Sequence, residues 1–524
     1  MHTWKSDHDS GRFALTPGSP NRRTGRLSGR VFVSLSVLCS MQAYGHGFGM
    51  RYDLPLPLGL WIIGAAGAIV LSFLIVAIAV RANASVAAPA QPNLVRWHIA
   101  NAVTRPNIRV IAQVIAVAAL ILIVVAGIVG DQTPTRNLAP TAIWIAWWVG
   151  FSYLSALVGN VWSLVNPWAA IFDWCERILS KPRAPRRAKI NWPQSVGVWP
   201  AIALFIVFAW LELVWEGRSI PSQLAWLVVG FSVLTWTGMF IFGHRMWLTH
   251  ADPFALAFGV LSKFGPIDIR IEHGICGTFA ADDASDRDRH HDEGPPSRWS
   301  WKLRPPGAGL LDTENMSRSL SVFVVVMLST VTFDGFMATP VWQRIESALY
   351  VALPVFGDSR VAIIDTVGLL VFCVVFMAVY RLFATLIAHA SGDRITPDAA
   401  SRAFVLMLVP IAIAYLVAHY LGYFLIQGQL LIRLISDPFG FGWNILGTAH
   451  FRPDIGIVGA RFVWYTSLIA IVLGHVAAVS LAHVVALRRF NDARLAIRSQ
   501  IPMLVLMIAY TMLSLWIIAQ PIVE

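Results

Sequence analysis

The residues able to do chemistry in this chain are ionisable side chains set within or beside apolar runs. Glu212 and Glu216 close one such run, Asp334 sits in "TFDGF", His419 in "AYLVAHYLGY" and His475 in "VLGHVAAV". Polar segments nearby add His46, Asp53, His450, Arg452 and Asp454. A charge at the centre of a bilayer costs roughly 2.5–3.5 kcal/mol on insertion scales, so such residues are functional candidates by default. Carboxylates and imidazoles gathered at one depth are what a metal, proton-transfer or ester-hydrolysis site needs. Glu212 and Glu216, spaced i, i+4, are expected to share a helix face, as are His419 and Tyr423. A second group, His244, His250, His389 and His483, lies toward the opposite face. His475 and His483 stand ~12 Å apart along one helix axis at 1.5 Å per residue and cannot ligate one ion. No GxSxG elbow, HExxH, HxH or P-loop pattern accompanies these residues.

What must position them is a membrane bundle. The chain has 524 residues, is 56% hydrophobic and 13% charged, and has a mean hydropathy of +0.63, too apolar for a soluble domain. Its 22 tryptophans suit the headgroup level, where an indole has one dry and one wet edge. The formal charge of +11 is an orientation signal in such a chain, and nucleic acid is not an expected partner. Cys39, Cys175, Cys276 and Cys373 form no CxxC pair, and none falls in a loop where a structural disulfide is expected.

The expected fold class is all-α, a polytopic transmembrane bundle of about ten spans at ~20 residues each. The apolar runs lie near 57–80, 108–130, 139–160, 196–216, 222–243, 318–334, 361–388, 402–427, 460–487 and 500–520. Residues 1–45 combine Arg22, Arg23, Arg26 and Arg30 with the short run "VFVSLSVLCSMQAYG", which reads as a signal peptide or an uncleaved anchor. Spans one to five then occupy 46–246, a cytoplasmic loop 247–317, and spans six to ten 318–524. Alternate loops are rich in Lys and Arg, at 81–105, 177–189 and 488–498, while "DQTPTRNLAP" and "EGRSIP" are nearly free of them. By the positive-inside rule this places the chain in a bacterial inner membrane, with the residue after 45 and the C-terminus both periplasmic.

Within 247–317 the tract "AADDASDRDRHHDEGPPSRWSWKLRPPG" has the composition of a disordered insertion, and its His290-His291 pair lacks defined ligand spacing. Two stretches echo each other, "NPWAAIF" at 166–172 and "DPFALAF" at 252–258. In each, Asn166 or Asp252 as N-cap and Pro167 or Pro253 at the first helical position should start a short helix lying in the interface.

Taken together, "HGFGMRYDLPLPLGLW", "WSLVNPW", "TFDGF", "HYLGYFLIQGQ", "SDPFGFGW" and "GHVAAVSLAH" resemble a family of bacterial polytopic membrane proteins. Some of its members carry the label fenitrothion hydrolase, an activity on an organophosphorus ester. The resemblance implies attack of water on a neutral, lipophilic phosphorothioate triester, a small molecule that would concentrate in the lipid bilayer. For that chemistry a divalent metal would lower the pKa of bound water. His419, His475 and His450 would be ligands, Asp334 a ligand or its support, and Glu212 the base. His46, if exposed by cleavage after Gly45, would offer a terminal chelate suited to copper or a similar metal. The alternative class is a proton-coupled transporter with Glu212, Asp334 and His475 as relay. A third is electron transfer with haem held between His419 and His475.

Overall fold

The computed structural model describes residues 57–79, 106–179, 190–272, 298–313, 316–490 and 492–520. The N-terminal segment with His46, the basic stretches 80–105 and 180–189, Cys39, Cys276 and His290-His291 lie outside the described residues. Among the described residues the chain is all-α apart from one small hairpin, because a backbone in lipid must satisfy its polar groups internally. The first half runs α1 (Leu58–Ala79), α2 (Pro106–Val129), α3 (Leu138–Thr141), α4 (Gly150–Leu157), α5 (Trp162–Val165), α6 (Pro167–Leu179), α7 (Trp199–Leu213), α8 (Pro221–Phe242), α9 (His244–His250) and α10 (Pro253–Ser262). Strands β1 (Ile267–Glu272) and β2 (Arg298–Leu303) follow. Then come α11 (Arg318–Met337), α12 (Pro340–Ala352), α13 (Arg360–Ala390), α14 (Pro397–Phe404), α15 (Val409–Gln427), α16 (Leu430–Leu434), α17 (Ala460–Phe490) and α18 (Ala493–Ala519).

Among the described residues nine helical segments are long and apolar enough to cross a membrane, which makes this a multi-pass membrane protein. The further run expected at 139–160 is present but irregular: α3 passes into a π-helix, Ala142–Val149, and then into α4. At its end Gly150 N–H donates to Ile145 O, five residues back. The span expected at 402–427 is Pro397–Gln427, in which a 3₁₀ stretch, Val405–Leu408, joins α14 to α15. Pro410 explains the change of pitch, since it has no N–H to return to the preceding turn.

Burial sorts the spans. The windows in α11 and in Pro397–Gln427 are each 83% buried, whereas the others are 17–39% buried. These two therefore form the centre, and the rest present Leu, Ile and Val outward. Because α11 has no lipid face, it carries hydroxyls that lipid would penalise. Ser329, Thr330 and Thr332 return theirs to the carbonyls of Val326, Met327 and Leu328 at 2.9, 3.1 and 2.6 Å. Around the pair, α7 packs on α11, while α1 packs on α17 and α18, so the spans of 46–246 and 318–524 interleave.

Within 247–317 the described residues include α10 and a hairpin, while 273–297, with most of the tract expected to be disordered, lies outside them. β1 and β2 pair antiparallel from Ile267↔Leu303 to Glu272↔Arg298. One set of cross-strand partners is apolar, Ile267, Ile269 and Ile271 opposite Leu303, Trp301 and Trp299; the other includes Asp268↔Lys302 and Glu272↔Arg298, opposite in charge. The buried Arg304 ties the hairpin down, donating to the carbonyls of Ser262 (2.7 Å) and Gly265 (3.0 Å) and pairing with Asp268 at 3.3 Å.

The echoed starts are both helix N-termini. The Asp252 carboxylate accepts from the N–H groups of Phe254 and Ala255 at 2.9 and 3.0 Å, and Asn166 accepts from Ala169 N–H at 3.2 Å. Their helices differ in setting. α6 leaves Ile178 and Leu179 exposed, whereas α10 is buried along its length, so the interfacial placement expected for 252–258 is corrected to one inside the bundle.

Candidate functional site

Three helices bring the candidate residues together. α7 ends at Leu213 and delivers Glu212; α11 delivers Asp334 near its end; α15 delivers His419 and Tyr420 from its interior. They meet at a narrow cavity of about 30 Å³, walled by Trp148, Phe205, Phe208, Met327 and Leu416 and containing the polar groups of Ser152 and Thr330. At ~10–15 Å³ per water, that is room for about two water molecules.

Asp334 is the hub. Its Oδ2 accepts from Tyr420 Oη at 2.6 Å and lies 2.9 Å from His419 Nε2. A carboxylate only accepts, so Nε2 carries a hydrogen and donates it. Both bonds are charge-assisted while Asp334 is ionised. Tyr420 Oη also lies 3.4 Å from Glu212 Oε1. The phenol has one hydrogen, and the shorter contact claims it for Asp334. The Glu212 contact then becomes a hydrogen bond only when Glu212 itself bears a proton. The two carboxyl groups thus meet at one hydroxyl.

Further groups hold this arrangement. The π-helix places Trp148 beside the cavity, its ring 4.8 Å from Phe208. A π stretch shifts the register of the side chains after it, a device common at functional sites. Tyr415 stacks on His419 with centroids 6.0 Å apart and an interplanar angle of 14°. Arg218 donates to Leu213 O at 2.6 Å and so closes the C-terminal end of α7, one residue from Glu212.

Of the residues singled out from sequence, Glu212, Asp334 and His419 are assembled. Glu216 is not on their helix: α7 stops first, and Glu216 sits exposed in a separate 3₁₀ turn, which corrects the shared face expected for it and Glu212. His475 is buried away from the cavity lining, its Nδ1 2.8 Å from Ile471 O. His450 is exposed in the loop between α16 and α17. The metal set His419, His475 and His450 therefore does not converge, and among the described residues no three His, Cys, Asp or Glu side chains stand at ligating spacing. On the opposite side the histidines are engaged locally. His244 pairs with Asp173 at 2.8 Å, His389 with Asp393 at 3.0 Å, and His483 Nδ1 meets Gln500 Oε1 at 3.2 Å.

Tyr420, Trp148, Ser152 and Thr330 were not anticipated. Thr330 had a readable signal, since Thr330 and Asp334 are spaced i, i+4 within "STVTFDGF". Tyr420 had a weaker one, as the neighbour of His419. Trp148 had none, because its aim depends on the π register.

Compared with known proteins, the chain matches no family model, no curated protein and no solved structure.

Proposed function

We propose that this chain is a proton-coupled membrane transporter in which Glu212, Tyr420, Asp334 and His419 bind and release the coupling proton. The observation that carries the reading is the hydrogen-bonded cluster itself: two carboxyls, a phenol and an imidazole on three helices, two of them belonging to the most buried segments of the bundle. Protonation of Asp334 removes the charge that strengthens its bonds to Tyr420 and His419, which loosens α15 against α11. Broken helices around a central site suit alternating access. Here they are the π-helix, the 3₁₀ stretch before α15 and the buried α10. The positive-inside rule, applied to a bacterial inner membrane, turns the cluster toward the periplasm.

A second reading, hydrolysis of a lipophilic organophosphorus ester, draws on the Asp334–His419 pair as an oriented base for water beside apolar walls. The cavity in this conformation admits water but not a triester, so that reading also needs the bundle to open.

One set of vesicles separates the two. Proteoliposomes containing the full chain and an internal pH dye are given a pH gradient and a panel of small organic ions. Proton entry coupled to at least one ion, and at least ten-fold slower in Asp334→Asn, is expected. No coupled proton movement, together with Asp334-dependent hydrolysis of an aryl phosphorothioate ester by the same vesicles, would replace transport with hydrolysis.

A further inference from the structure

At one end of the bundle three guanidiniums meet a single carboxylate. Asp398, in the first turn of α14, accepts from Arg318 Nε at 2.8 Å through Oδ2 and from Arg381 Nη1 at 3.3 Å through Oδ1. Arg402, one turn along α14, holds its Nε 3.5 Å from the same Oδ2, and that Nε makes no hydrogen bond. The arginines come from α11, α13 and α14, so the group exists only in the folded bundle. One carboxylate cannot neutralise three guanidiniums, and two positive charges are left over. The side chains of Arg318, Arg381 and Arg402 are 79, 53 and 42% exposed against 20% for Asp398, so the carboxylate is the floor and the guanidiniums face outward.

Helix α13 fixes the depth of this group. It begins at Arg360, whose guanidinium lies 3.8 Å from the centre of the Tyr350 ring and donates to the Tyr350 hydroxyl at 3.0 Å, a pairing suited to a headgroup layer. From Arg360 to Arg381 the helix rises ~31 Å at 1.5 Å per residue, which matches a hydrocarbon thickness of ~30 Å. The arginine group therefore sits at the opposite headgroup layer. Val374 and Leu370, one stripe of α13 with Arg381 at i−7 and i−11, are exposed beneath it. Cationic groups at headgroup depth thus stand directly above an apolar wall that faces the lipid.

We propose that Arg318, Arg381 and Arg402 bind the phosphate of an anionic phospholipid whose acyl chain lies along Val374 and Leu370. The site is independent of the transport reading. A guanidinium fork matches phosphate oxygens, and basic pockets between spanning helices are where acidic headgroups settle. A zwitterionic lipid carries its own ammonium beside the phosphate and gains less from two surplus positive charges. The positive-inside rule explains arginines at this end of the bundle but not three of them converging on one carboxylate. The bound lipid ties the starts of α11 and α14, which open the two most buried spans, to α13.

The test is native mass spectrometry of the full chain, purified in detergent and incubated with equimolar phosphatidylglycerol and phosphatidylcholine of the same acyl chains. The wild type should retain phosphatidylglycerol at least ten-fold over phosphatidylcholine. The exposed pair Arg318→Gln with Arg381→Gln should bring that ratio to two-fold or less, with a thermal transition in lipid-free detergent that matches the wild type. Asp398→Asn, which leaves the guanidiniums unopposed, should raise retention at least three-fold. A wash with excess inorganic phosphate should leave the bound lipid in place. Equal retention of the two lipids by the wild type, an unchanged ratio in the double variant, or no gain in Asp398→Asn overturns the site. Displacement of the lipid by inorganic phosphate overturns the lipid as its ligand and assigns the arginines to a soluble anion.

Discussion

Tyr420 has one hydrogen and two carboxyl groups within reach of it, at 2.6 and 3.4 Å. Its replacement by Phe takes from Asp334 the donor that lies at 2.6 Å. Loss of a bond to a buried charged group costs about 1–3 kcal/mol, so Tyr420→Phe should lower the thermal transition of the detergent-solubilised protein by that equivalent. An unchanged transition would show that the cluster keeps a proton in place of the phenol. This site was half legible: an Asp or a His inside an apolar run stands out on desolvation cost alone, which marks Asp334 and His419. Tyr420 does not, because tyrosine is common in such runs and only its distance to Asp334 gives it a role.

At the scale of elements, one close approach and one cap invite measurement. Gly474 of α17 faces α15 so closely that an added Cβ would lie 2.5 Å from Ala414 Cβ and 2.7 Å from Pro410 O. Small residues let transmembrane backbones approach in this way. Gly474→Val should therefore force the helices apart and destabilise the fold by about 1–3 kcal/mol, the usual cost of overpacking, read as a lower thermal transition. Asp252, outside the nine spans, caps α10, and burial pushes its carboxyl up to about 6 against the pull of the Ala255 and Phe254 N–H groups. The unfolded carboxyl ionises first, near its ordinary value of 3.8. Stability is therefore lost as pH rises between about 4 and 6, by ~2–3 kcal/mol at 1.36 kcal/mol per pKa unit. Asp252→Asn keeps an oxygen for the cap and removes the titration. Its thermal transition should be flatter over that window and higher than the wild type at neutral pH; a parallel pH profile would assign the dependence elsewhere.

For the whole molecule, the hairpin register places Glu272 directly opposite Arg298. Residues 273–297 therefore connect two strand ends that already lie side by side. A two-residue Asn-Gly turn matches strand twist at such a junction, so replacing 273–297 by Asn-Gly should leave the thermal transition within the ~0.5 kcal/mol of a neutral surface change. A large loss would mean that the segment packs on the bundle. The hairpin itself was written in the sequence as alternation, "IDIRIE" facing "RWSWKL", but a tract of aspartates, arginines and histidines between the two halves obscured it.

Mean hydropathy and the spacing of apolar runs were enough to specify a multi-pass helical protein and nearly every span, because lipid leaves the backbone no other way to bond and ~20 residues no shorter way across. Which spans are central was decided only by packing, since α11 and α15 are no more apolar than their neighbours and differ in being wrapped by protein. The partners of each polar group were likewise a tertiary matter. Glu212 joined Asp334 and His419 because the ends of α7 and α11 converge on the middle of α15, Glu216 was lost from them because α7 stops at Leu213, and His475 was set apart by the face of α17 on which it falls.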